Sequence, residues 1–125
     1  MSDNTQQQRE AVTDVQKSVS ESAELFDLLG NARRIHVLTG MHRRDSDVFT
    51  VGSVVDWVAG EEFGEGVSAE QRKSAYIALY QCHLPRLAAG DLISYDQDSA
   101  LVRPGPRFDE AVVVLERVLP ADCCV

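Results

Sequence analysis

Cys82 and His83 stand side by side in the stretch YQCHLPRLAAGD, residues 80 to 91. A thiol next to an imidazole raises two chemistries, metal ligation and nucleophilic catalysis. A zinc site needs about four ligands in a tetrahedron. On a helix, neighbouring side chains diverge by about 100°, so Cys82 and His83 cannot face one ion. His36, His42, Cys123 and Cys124 add no recognised ligand spacing, and no metal or cofactor is expected. His83 reads instead as a core histidine held by hydrogen bonds. Catalysis finds no better support, since G-x-S-x-G, H-E-x-x-H and a glycine-rich phosphate loop are all missing. The segment GEEFGEG, residues 60–66, is rich in glycine but acidic, the wrong sign for phosphate. Glu61 and Glu62 have no neighbour to tune them and read as solvated charge. An enzyme is not expected. Three cysteines, two of them adjacent, make no disulfide framework, so reduced thiols are expected.

The arginines are more informative. The chain has 125 residues and a net charge of −8, which by itself speaks against a polyanionic partner. The charge is segregated, however. Residues 31–44 carry four arginines (Arg33, Arg34, Arg43, Arg44) and no acid, and 71–90 carry Arg72, Lys73 and Arg86 and no acid, whereas 45–70 carry seven acids and no base. Two basic islands in an acidic chain are either a docking face for a negative partner or solvated surface.

Those islands must be positioned by secondary structure. Residues 1–20 are polar and form a tail, in which Val12, Val15 and Val19 keep a 3–4 spacing that suits a helix only if a partner covers it. A helix over 22–29 stops at Gly30, and Asn31 caps a second helix through His42. Residues 48–51 suit a strand. Ser53 with Asp56 opens a short third helix that ends near Gly60, after which GEEFGEG is a loop. Ser68 and Gln71 form a capping pair that opens a long helix to Ala89, with Ile77, Tyr80, Leu84 and Leu87 as its buried stripe and a bend at Pro85. Leu92–Asp96 and Ala100–Arg103 form a β-hairpin.

After the break RPGPRF, Phe108 to Leu119 forms a last helix. Phe108, Val112, Leu115 and Leu119 share one stripe, and an adjacent one widens it beyond what a small core needs. This predicts a homodimer interface. The expected division is a tail over 1–20, a domain over 21–104, and the terminal helix and tail over 105–125. No apolar run reaches the roughly 18 residues that span a bilayer, and the polar start is no signal peptide, so a cytosolic protein without a membrane partner is expected.

Short helices, a strand, a long helix and a hairpin, in that order, predict an α+β fold, mainly α: a winged helix-turn-helix with an extra C-terminal helix. LFDLLGNARR at 25–34, QRKSAYIALYQCHLPRL at 71–87 and DLISYD at 91–96 resemble a family of small winged-helix domains from haloarchaea. More distantly they resemble ArsR-type regulators, whose helix carries Ser-x-His-Leu-x-x-Leu before an Ala-Gly turn. Gln81 stands in place of that Ser, and Gly90-Asp91 in place of Ala-Gly. The resemblance covers residues 22–103. It implies a DNA-binding transcriptional regulator, halophilic and archaeal, in which an acidic surface aids solubility in concentrated potassium chloride and no longer excludes DNA.

On that footing the long helix enters the major groove of double-stranded DNA and the hairpin lies on the backbone. Opposite the Ile77 stripe lie Gln71, Ala75, Ala78, Cys82 and Arg86. The expected base or phosphate contacts on this helix are Gln71, Arg72, Ser74, Gln81 and Arg86. Arg33, Arg34, Arg43, Arg44 and Arg103 are expected on phosphates, which position the domain without reading sequence. The alternative is a winged helix kept as a protein-protein or dimerisation module, because Ala75, Ala78 and Cys82 can seat a partner helix. Acids from 45–70 covering the basic side would favour that alternative.

Overall fold

The computed structural model describes residues 18–120. Val12, Val15, Cys123 and Cys124 lie outside the described residues. Helix α1, described over residues 18–29, buries Leu25, Leu28 and Leu29. It closes at Gly30, whose N–H donates to the Asp27 carbonyl at 3.2 Å. Asn31 caps α2 (Ala32–Arg43), its Oδ1 accepting from the N–H groups of Arg33 at 3.0 Å and Arg34 at 3.4 Å. Helix α2 sends Val37, Leu38 and Met41 into the core. At Gly40 it presses against the following helix, because a Cβ there would overlap the indole of Trp57. That indole donates to the His36 carbonyl at 3.0 Å and meets Phe49 edge-on at 5.5 Å.

Strand β1 is only Phe49–Thr50, and α3 (Val51–Phe63) follows without a break. The expected strand end and helix start are thereby corrected. Thr50, not Ser53, is the cap, its Oγ1 accepting from the Ser53 N–H at 3.2 Å. Gly60 lies inside α3, since Val54, Val55, Val58 and Ala59 keep one face buried and carry the helix past it. The turn that follows α3 runs through Gly64 and Gly66, both at positive φ, 76° and 74°. This backbone suits glycine because a Cβ would meet the following carbonyl.

The capping pair at Ser68 and Gln71 is a reciprocal box. Ser68 Oγ accepts from the Gln71 N–H at 3.1 Å, and Gln71 Oε1 from the Ser68 N–H at 3.0 Å. It opens α4 (Ala69–Ala78), which continues through a π-helical segment, Leu79–His83, into α5 (Leu84–Ala89). The N–H of Leu84 donates to the carbonyl of Leu79, five residues back. One extra residue in that turn rephases the helix. Its buried residues run Ala75, Leu79, Leu84 and Leu87, whereas Ile77 is 42% exposed. The expected stripe at Ile77 and Tyr80 follows the phase of Leu84 and Leu87 back past the π segment, where it no longer holds. Pro85, next in the chain, has no N–H to donate, and its ring crowds the carbonyl one turn earlier. The widened turn falls beside it.

Strands β2 (Ile93–Asp96) and β3 (Leu101–Pro104) form the hairpin. β1 joins it in an antiparallel sheet of order β1-β3-β2, with Phe49 and Tyr95 both opposite Val102. The helices with this small sheet make a mainly helical α+β fold of winged-helix type. Helix α6 (Phe108–Val118) packs on α2 and buries Phe108, Ala111, Val112 and Leu115 in the same core. The stripe of Phe108, Val112 and Leu115 is therefore used within the chain, whereas Val118 of the adjacent stripe is 73% exposed. Phe108, Val112 and Leu115 cannot meet a second copy without unpacking their own fold, and Leu119 sits half-buried at the helix end. Among the described residues no helix is long and apolar enough to cross a membrane.

Candidate nucleic-acid interface

The rephased helix decides which side chains face outward. At about 100° per residue, Ala75 and Leu79 mark the buried side of α4, and Ile77 lies opposite them. Glu70, Lys73 and Ser74 flank Ile77, and all are exposed. With Arg33 of α2 and Ala78 they line an open depression on the helix surface. Gln81 is exposed within the π segment. Lys73, Tyr76 and Ile77 are the outward residues that sequence reasoning missed, because the assumed phase turned Ile77 inward. Ala75, expected outside, is fully buried. Gln71 is half-buried, and its side-chain carbonyl is taken by the capping box.

Tyr76 and Tyr80 stack at 5.7 Å with a 13° angle between their rings, and Tyr80 meets Tyr95 of β2 edge-on at 6.5 Å. An aromatic ladder thus ties the outward helix to the hairpin. Burial, then the neighbouring Tyr80 and Tyr76, push the Tyr95 hydroxyl pKa up. Arg103 stands on β3 opposite Ser94 and is exposed.

The other arginines are already engaged. Arg33 makes a bidentate pair with Glu62, Nε to Oε2 and Nη2 to Oε1 both at 2.7 Å, and that hydrogen bonding raises its pKa. Arg72 Nε meets Asp56 Oδ1 at 2.8 Å, Arg43 Nη1 lies 3.8 Å from Glu61 Oε1, and Arg86 Nη2 meets Asp27 Oδ2 at 2.9 Å. Asp56, Glu61 and Glu62 belong to the acidic 45–70 segment, so that segment does fold against the basic islands. Arg44 donates from Nη1 to the Gly40 carbonyl at 2.9 Å and lies 4.0 Å over the Trp57 ring.

Arg34 needs correction. It is 6% exposed, its Nε donates to the Leu28 carbonyl at 2.7 Å, and its Nη2 donates to the Asp27 carbonyl at 3.1 Å. Its Nη1 lies 3.3 Å from His83 Nδ1. Arg34 closes the C-terminal end of α1 from inside the protein and has no surface to offer a phosphate. A helix end leaves carbonyls without partners, and this guanidinium supplies the missing donors.

His83 is likewise buried, while Cys82 beside it is exposed. The two diverge as helical neighbours should. Among the described residues no group of three or more His, Cys, Asp or Glu side chains is placed to hold a metal ion.

Residues 26–103, from α1 to the end of the hairpin, match the model of a family described as Domain of unknown function (DUF7344). No curated protein and no solved structure matches the chain.

Proposed function

The chain belongs to the DUF7344 family, and we propose that it is a DNA-binding transcriptional regulator of winged helix-turn-helix type. In this reading α4 enters the major groove of double-stranded DNA and the β2–β3 hairpin lies along the backbone. One observation carries it: α3 and α4 are joined by a tight turn, and α4 is buried on one side only. Its opposite side presents Lys73, Ser74, Ile77 and, beyond it, Gln81. Lys73 reaches phosphate or a guanine edge, Ser74 and Gln81 offer donors and acceptors, and Ile77 suits a thymine methyl. Arg33, Arg72 and Arg103 supply phosphate contacts at the rim.

The ion pairs do not forbid this. Arg72 and Asp56 are 47% and 66% exposed, and such pairs are worth about 0–1 kcal/mol. A phosphate can displace the carboxylate at little cost. The acid excess fits a protein of haloarchaeal type, as the sequence resemblance implies, working in the cytoplasm at high salt. The proposed role is not catalytic.

A second reading, a winged helix kept for protein-protein contact, is favoured by the pairing of Asp56, Glu61 and Glu62 with Arg72, Arg43 and Arg33. Fluorescence anisotropy with duplexes from the gene's own upstream region, titrated over potassium chloride, separates the two. DNA binding requires one duplex to be preferred over scrambled sequence, with affinity falling as salt rises. Equal or absent binding to all duplexes removes the DNA reading.

A further inference from the structure

Helix α3 carries three acids and no base, and each acid meets an arginine of a neighbouring helix. Asp56 lies 2.8 Å from Arg72 of α4, while Glu61 lies 3.8 Å from Arg43 and Glu62 2.7 Å from Arg33, both of α2. Two of these contacts engage one particular edge of the guanidinium. Arg33 offers Nε and Nη2 to the two oxygens of Glu62, each at 2.7 Å, and Arg72 offers Nε to Asp56 Oδ1. A phosphate takes the same fork of donors in the same way. While the carboxylate is in place, that edge is closed to it.

The position of the two arginines gives these contacts a consequence. Arg33 lines the depression with Lys73, Ser74 and Ile77, and Arg72 precedes Lys73 in α4. Both guanidiniums thus border the outward side of α4, where the backbone of a duplex would pass a helix seated in its groove.

We infer that Asp56 and Glu62 are built-in competitors of DNA: in the free protein they occupy the guanidinium edges that backbone phosphates take in the complex. The inference rests on the DNA reading above and names how that same surface is regulated. The Arg33–Glu62 pair is the more sheltered, 24% and 29% exposed against 47% and 66% for Arg72–Asp56, so Glu62 is the stronger competitor. In the exchange a phosphate gives up condensed potassium, and the freed carboxylate attracts potassium in its turn. Fewer ions are released in all, so affinity falls less steeply with salt than an unopposed arginine would make it. Screening acts in the same direction, because the salt that weakens a phosphate contact also weakens the carboxylate contact that opposes it. The acids of α3 therefore lower affinity at low salt and flatten the salt response.

Plain repulsion between an acid and DNA predicts something else, and a double-mutant cycle separates the two. Fluorescence anisotropy on the full chain, with the preferred duplex from the gene's own upstream region and a series of potassium chloride concentrations, tests the inference. Glu62→Gln and Asp56→Asn keep the shape of each side chain and remove its charge. Glu62→Gln is expected to tighten binding severalfold at low salt and to steepen the slope of log affinity against log salt by up to about one unit. Asp56→Asn is expected to do the same to a smaller extent. The gain from Glu62→Gln is expected to be largely lost in an Arg33→Ala background, and that from Asp56→Asn in an Arg72→Ala background. Equal gains with and without the arginine, or no gain in either variant, overturn the inference and leave the DNA reading standing. A wild type that prefers no duplex removes that reading, and the inference with it.

Discussion

Inside the protein the guanidinium of Arg34 faces the imidazole of His83, Nη1 to Nδ1 at 3.3 Å. Arginine has only donors, so Nδ1 is the acceptor and the His83 proton sits on Nε2. The imidazole is neutral in the fold. Burial lowers its pKa most, followed by the positive charges of Arg34, Arg33 and Arg86, against a smaller opposing effect of Glu62.

A folded-state pKa below the unfolded value of about 6.5 means that the unfolded chain binds more protons in that range, so stability rises with pH. The contribution of His83 is fully present above the unfolded pKa and is lost as the pH falls through the folded one. Urea midpoints followed from about pH 8 down to about pH 5 are expected to drop for the wild type. His83→Asn keeps an acceptor for Arg34 and cannot titrate, so its profile is expected to be flatter. Parallel profiles would remove His83 from the pH response.

Arg33 and Arg34 are neighbours in sequence with opposite energetic weight. Arg34→Ala strands the buried carbonyl of Leu28 together with His83 Nδ1, while the Asp27 carbonyl keeps its bond from the Gly30 N–H. At about 1–3 kcal/mol for each group left without a partner, a loss of about 2 kcal/mol or more is expected. Arg33→Ala breaks one surface pair and is expected to cost about 1 kcal/mol or less. Chemical denaturation of both variants checks the contrast, and equal losses would contradict it.

Gly40 is where α2 lets the Trp57 indole through. Gly40→Ala places a methyl group in the space of that ring, and overpacking of this kind costs about 1–3 kcal/mol. Trp57 is the only tryptophan. Its fluorescence reports both the unfolding midpoint and any shift of the ring in the folded state.

Ala100 ends the hairpin turn at φ 56°, a left-handed backbone, and its carbonyl accepts from the Val51 N–H at 3.0 Å. Glycine adopts that conformation without the Cβ penalty of about 1–2 kcal/mol, less what its freer unfolded chain gives back. Ala100→Gly is therefore expected to raise stability by roughly 0.5–1 kcal/mol in thermal or urea unfolding. A loss of stability would show that the turn is not strained there.

If α4 enters DNA, Lys73→Ala should lower affinity and reduce the slope of log affinity against log salt by about one unit. Arg72→Ala should have the smaller effect, because its carboxylate partner Asp56 must be displaced first. Ser74→Ala should cost affinity at one position of the site only. Anisotropy titrations at several potassium chloride concentrations measure all three. Wild-type binding in all three variants would turn the proposal toward protein contact.

Much of the fold was legible in the sequence because local signals and tertiary packing agree. The Gly30–Asn31 junction, the Ser68–Gln71 box and the hairpin each declare themselves within a few residues. Other features depend on partners distant in sequence. Arg34 looks like its neighbour Arg33 until α1 folds back over it. Thr50 wins the cap from Ser53 because pairing of Phe49 with Val102 fixes where the strand must stop. The α6 stripe announces that it will be covered but not by what, and α2 of the same chain covers it. The outward face of α4 was misplaced for a single cause, the extra residue between Leu79 and Leu84.

That extra residue leaves room for a change that helices seldom tolerate. Deleting one residue from a regular helix turns everything beyond it by about 100° and tears the core. Here Leu79 and Leu84 are anchors five apart over a span that four residues would fill in α-helical geometry. Removing the exposed Gln81 would shorten that step to four and bring it into α-helical phase, with α4 held on one side and α5, the hairpin and the His83 contact held on the other. The long helix of this fold can thus lose a residue at its middle while its buried side stays in place, and only the outward side chains near that turn would change.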